Sequence, residues 1–184
     1  VVRTDDAVLT SFLALWVTIQ GAREGVDTVD AVKIAATLLA IIRIMHLIIP
    51  PILGTILDRT DRAKLYMLSI FCVGLVFVSA PLVTSVQGWQ IYAYAVFVGI
   101  VEASQTICQQ AFFGQEAPAH LRGTSYGLLA IFGTASVVVT SIVAGYLFDA
   151  MGPTAPFVLI GLLHLIAVLA CLAVMAKMGP TASA

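Results

Sequence analysis

The chain has 184 residues, of which 60% are apolar and only 10% charged, with a formal net charge of −1. An average soluble domain is about a quarter charged, so these few charges cannot coat a water-soluble globule of this size. The absence of a net basic field argues against nucleic acid as a partner, and the mean hydropathy of +1.04 points to a lipid bilayer.

A bilayer core of about 30 Å needs about 20 apolar residues per helix. Six segments meet or approach that length, at about 7–22, 31–57, 64–84, 89–114, 122–149 and 155–177. The sequence therefore reads as all-α: a polytopic membrane protein whose single domain, residues 1–184, is a six-helix transmembrane bundle. The first segment is the shortest. Asp5 and Asp6 precede it, a layout unlike a cleavable signal peptide. The chain starts at Val1 rather than Met, which suggests that it begins inside a longer reading frame. Loops between the segments are short and carry Gly, Pro, Asp and Arg.

Lys and Arg collect preferentially in cytoplasmic loops. With both termini cytoplasmic, Arg3, Arg59, Arg62, Lys64, Arg122 and Lys177 lie inside and only Arg23 and Lys33 outside. This favours a protein of the bacterial cytoplasmic (inner) membrane in that orientation. Trp16 and Trp89 both lie at or near predicted interfaces, and Trp89 fits an aromatic belt better. Cys72, Cys108 and Cys171 stand far apart in apolar runs and read as small core residues.

Polar groups inside the spans carry the functional signal. Arg43 lies near the middle of the second segment, with His46 and Pro50 at i+3 and i+7. Glu102 lies near the middle of the fourth, with Gln105 and Gln109 on the same face. A charge at the bilayer centre costs at least about 2.5–3.5 kcal/mol, so both ions are expected to face protein or a water cavity. Pairing Arg43 with Glu102 is the simplest arrangement. One reading is a substrate or proton path, in which Glu102 exchanges the proton, Arg43 binds an anionic group or tunes Glu102, and His46 relays. The other is a structural ion pair that holds two helices together. His164, isolated in the sixth segment, reads as a helix–helix hydrogen bond. Gly123, Gly127 and Gly145, with Ala130, Thr134 and Ser141 between them, form a small-residue stripe suited to close helix packing within the bundle or against a second one. No phosphate loop, clustered metal ligands or nucleophile set appears, so neither an enzyme, a cofactor nor a metal is expected.

The loop Gly54-Thr-Ile-Leu-Asp58-Arg59-Thr-Asp61-Arg62-Ala63-Lys64 resembles the Gly-x-x-x-Asp-Arg-x-Gly-Arg-Arg signature of the major facilitator superfamily. Gly54, Asp58, Arg59 and Arg62 match; Asp61 replaces the usual Gly and Ala63 a second basic residue. Independently of the family, Gly54 would let a neighbouring helix approach, and Asp58 at a helix C-terminus needs a cation or helix N-terminus beside it. Pro118-Ala-His-Leu-Arg122-Gly123-Thr-Ser-Tyr-Gly127 is similar to that family's entry to its fifth or eleventh helix, and Gly145-Tyr-Leu-Phe-Asp149 to its penultimate turn. The paired Gly-x-x-x-Asp ends, half the chain apart, suit two inverted three-helix repeats. The degenerate loop and the short polar tail resemble the C-terminal half of such a protein. The resemblance implies secondary active transport of a small solute by alternating access, with a second six-helix bundle as partner. A non-transporting scaffold or assembly factor on the same bundle is the alternative.

Overall fold

A computed structural model describes residues 4–116, 118 and 120–178, with residues 115–116 and 175–178 described by backbone alone. Arg3, Ala117, Ala119, the Lys177 side chain and the polar tail 179–184 lie outside the described residues. The described chain is helical throughout: α1 (Thr4–Arg23), α2 (Thr28–Leu57), α3 (Arg62–Val78), α4 (Trp89–Glu116), α5 (Arg122–Met151) and α6 (Ala155–Met178), with a short 3₁₀ turn at Ala80–Leu82. The expected segments correspond one to one. The third ends earlier than its apolar run, at Val78, because Pro81 has no N–H to extend the α-helix and the chain tightens into the 3₁₀ turn. Pro50 and Pro51, by contrast, lie within the continuous α2. Gly25 (φ 76°) turns the chain between α1 and α2, and Gly152 (φ 105°) ends α5, both in backbone regions that favour glycine.

Five helices, α2 to α6, are long and apolar enough to cross a membrane. The sixth, α1, carries Asp5, Asp6, Gln20 and Arg23 yet contributes to the core: Val8, Leu9, Leu13, Trp16 and Val17 are all buried. It packs against α2, α5 and α6. A helix screened by its neighbours need not be apolar all round, which is why its hydropathy understates its place at the core. Trp16 is accordingly a core residue rather than a belt residue, 5.1 Å from the Phe157 ring and 5.9 Å from Tyr94 between centroids. Trp89 stands exposed at the start of α4.

The most extensive helix contacts are α2 with α4, α3 with α6, and α3 with α4. Glycines not singled out by the sequence make two of these possible. A Cβ on Gly161 would lie 2.7 Å from the backbone oxygen of Gly74 and 2.7 Å from the backbone nitrogen of Val78, and a Cβ on Gly99 would lie 2.7 Å from Met45 Cβ. The expected packing glycines behave differently. Gly54, Gly123, Gly127 and Gly145 have nothing within 4 Å of an added Cβ, so no other helix packs against these glycines. The reason is topological: the three α5 glycines stand clear of the other helices while Ala130 and Thr134 line a cavity, and 3.6-residue periodicity cannot tell such positions from a packed seam. Of the cysteines only Cys108 is buried; Cys72 is half-buried and Cys171 exposed.

Candidate functional site

One end of the bundle opens into a cavity of about 980 Å³. It gathers the N-terminal ends of α1, α3 and α5 with the C-terminal halves of α2, α4 and α6, so it lies at the end that carries the α2–α3 loop. Arg43, His46, Glu102, Gln105 and Gln109 all line it. Asp5, Asp6 and His164 line it as well. Spacing along the chain does not reveal their place in the cavity: the two aspartates sit before the first apolar run, and a lone histidine has no partner at helical spacing.

The expected Arg43–Glu102 pair is not formed. Arg43 Nη2 instead donates to Asp6 Oδ1 at 2.8 Å, between side chains 46% and 58% exposed. A long guanidinium stem can reach the wetter mouth, where the charge keeps part of its hydration, and Asp6 on the adjoining α1 waits there. Glu102 is left 3% exposed, and neither carboxylate oxygen has a hydrogen-bond partner among the described residues. An unsatisfied buried polar group costs about 1–3 kcal/mol, more if charged. Such a cost is tolerated mainly where a site uses it.

One turn along α4, Gln105 meets His164 of α6. The amide nitrogen lies 3.0 Å from His164 Nε2, while His164 Nδ1 lies 2.9 Å from the Ile160 carbonyl oxygen. A carbonyl only accepts, so Nδ1 carries the ring proton and, in the neutral ring, Nε2 accepts from the Gln105 amide. That fixes the amide orientation and leaves Gln105 Oε1 buried with no donor among the described residues. Asp5, 4% exposed, places Oδ2 at 3.6 Å from His164 Nε2. The expected helix–helix hydrogen bond of His164 is therefore present, and it lies in the cavity wall. His46 is half-buried and bonded locally, Nδ1 to the Ile42 oxygen at 3.0 Å.

The signature loop lies beside this end. Asp58 caps α2 through its backbone N–H to the Gly54 oxygen, and its carboxylate stands 3.9 Å from Arg62, a loose pair. Asp61, the residue that departs from the family pattern, is the N-cap of α3: its Oδ1 accepts from Ala63 N at 3.0 Å and Lys64 N at 3.3 Å. The Lys64 N–H, with the nearby ammonium, holds the Asp61 carboxyl below the usual range.

The opposite end is closed by a polar tie. Glu24, after α1, accepts from Ser85 Oγ at 2.8 Å, from Val86 N at 3.1 Å and from Gln20 at 3.1 Å, and Gln20 also reaches the Thr84 oxygen. Desolvation pushes this carboxyl up, but the hydrogen bonds from Ser85, Gln20, Val86 and Gln87 outweigh it and leave it below the ordinary value. Among the described residues no three His, Cys, Asp or Glu are grouped to hold a metal.

The family model of the Major Facilitator Superfamily matches residues 6–183. The chain is 25% identical over 159 residues to the magnetosome protein MamZ of Paramagnetospirillum magneticum, covering 86% of this chain and 25% of that one. It is 24% identical to MamZ of Magnetospirillum gryphiswaldense, over 86% of this chain and 24% of that one. The magnetosome protein MamH of P. magneticum is 24% identical over 89% of this chain and 38% of its own length. The chain thus spans about a quarter to two fifths of the curated relatives it matches. No solved structure gives a significant match.

Proposed function

The chain belongs to the major facilitator superfamily, and from that premise we propose that it is one six-helix half of a secondary transporter that moves a small solute by alternating access. The observation that carries the reading is the polar cavity in an otherwise apolar bundle, with the buried, unpartnered Glu102 in its wall. Glu102 is the group that gains and loses a proton, with Gln105, Gln109 and His46 lining the path. Arg43 acts through Asp6 at the mouth instead of binding an anionic group directly.

Two inverted three-helix repeats underlie this half. Two contact pairs support that: α2 with α4 is matched by α1 with α5, and α3 with α4 by α1 with α6, while α1 with α2 and α5 with α6 have no counterpart among the main contacts. A second six-helix bundle covers the open faces of α2 and α5, a reading supported by the outward Gly54, Gly123, Gly127 and Gly145. The loop charges support cytoplasmic termini, and the bacterial relatives an inner-membrane location. The cavity then opens inward and the Glu24 tie seals the outside.

Replacing Glu102 with Gln in the complete protein, reconstituted in liposomes, abolishes proton-coupled uptake. Unchanged uptake with unchanged pH dependence overturns the proton role. The other reading is a non-transporting scaffold or assembly factor, which draws on relatives whose printed names give an association with the magnetosome and no solute. It predicts no flux in liposomes and stable co-purification with a partner.

A further inference from the structure

Four buried side-chain atoms lack a hydrogen-bond partner among the described residues: both Glu102 oxygens, Gln105 Oε1 and Tyr94 Oη. Tyr94 is not part of the cavity wall. While Glu102 is ionised, the three atoms on residues that do line it are all acceptors, and all come from one face of α4. Three donors of the cavity wall are engaged elsewhere. The Arg43 guanidinium, the only Lys or Arg side chain in the cavity wall among the described residues, is held by Asp6. The Gln105 amide nitrogen is bonded to His164, whose Nδ1 proton goes to Ile160. A second buried carboxylate, Asp5, stands across His164 from these oxygens.

We propose that the Glu102–Gln105 face of this cavity binds a cationic, hydrogen-bond-donating organic head group, an ammonium or a guanidinium. Three acceptor oxygens on two side chains one turn apart match a head with several N–H donors. A solute that only accepts hydrogen bonds leaves all three unsatisfied, and an anion meets two carboxylates with no unpaired Lys or Arg beside them. A bare metal ion fits less well, because no three ligating side chains converge among the described residues. The inference rests on the transport reading for its purpose, since it names the chemistry of the solute. Its geometry is independent of any flux.

Equilibrium binding to the full-length protein in nanodiscs tests it, with methylguanidinium as probe. Tetramethylammonium has the same charge and no N–H, and methanesulfonate is the anionic control. Methylguanidinium should bind saturably, tetramethylammonium at least tenfold more weakly, and methanesulfonate not at all. Glu102→Gln should weaken methylguanidinium at least tenfold, with Glu102→Asp recovering part of the loss. Equal affinity for the two cations, binding of the anion, absence of saturable methylguanidinium binding, or a Glu102→Gln protein that binds like the parent overturns the proposal. The three probes on the unmodified protein decide the matter even if a variant fails to fold. Saturable binding without flux in liposomes would uphold this site and overturn the transport reading, so the two failures are distinct.

Discussion

Gly161→Ala is the most direct test of how this bundle is held together. A Cβ there would lie 2.7 Å from Gly74 O, 2.7 Å from Val78 N and 2.7 Å from Val78 Cγ2, where ordinary contact begins at 3.4 Å. Two of those three atoms belong to the α3 backbone, so no rotamer change relieves the clash; the helices must separate by several tenths of an ångström. Separation loosens the α3–α6 crossing along its length, including the contact of Leu165 with Gly74. Overpacking of this kind costs about 1–3 kcal/mol, and a backbone obstacle puts Gly161 near 3 kcal/mol, over a hundredfold in the folding equilibrium. In the six-helix chain by itself Gly145→Ala is the matched control: the same methyl meets nothing within 4 Å, and alanine favours helix over glycine by up to about 1 kcal/mol. Both can be measured by unfolding in mixed micelles of increasing sodium dodecyl sulfate, following the fluorescence of the buried Trp16 in a Trp89→Phe background. Gly161→Ala should unfold at a clearly lower detergent fraction and Gly145→Ala at or above the parent value. A Gly161→Ala protein as stable as the parent would refute the close crossing of α3 and α6.

The unsatisfied Glu102 makes stability and activity oppose each other: Glu102→Leu should stabilise the bundle by about 1–3 kcal/mol in the same unfolding assay while uptake is lost, and a destabilised variant would show that the carboxylate has a partner. At the opposite end, hydrogen bonds hold Glu24 below its ordinary value, so its contribution is present at neutral pH and is lost as pH falls through the lowered folded value. Glu24→Gln should therefore flatten the acid limb of stability below about pH 4.5, measured as unfolding midpoint against pH; an unchanged limb counts against the tie. Asp61→Ala should cost about 0.5–2 kcal/mol through loss of the α3 N-cap, and Asp61→Asn much less, read by the same midpoints.

Six helices and their order were legible because apolar length and Gly, Pro and Asp punctuation act locally: a segment of about 20 apolar residues has few alternatives in lipid. The charged loop Gly54 to Lys64 was legible for the same reason. So was the shared face of Glu102, Gln105 and Gln109, which follows from helical spacing alone. The identity of partners across helices was not legible. Arg43 and Glu102 looked like natural partners, but Asp6 stands nearer the wet mouth where a long cation can keep some hydration, and Asp6 looked like mere N-terminal polarity. His164 acquired its meaning only when α6 brought it to Gln105 and α1 brought Asp5 beside it. The glycines show the limit most plainly. Gly161 and Gly99 sit at crossings while Gly123, Gly127 and Gly145 face outward, though all five read alike as small residues in apolar helices. Which residues share a helix face follows from the order of residues along the chain, because it depends only on 3.6 residues per turn. What each face meets emerges only once the helices pack, because it depends on which helices neighbour one another and how closely they cross.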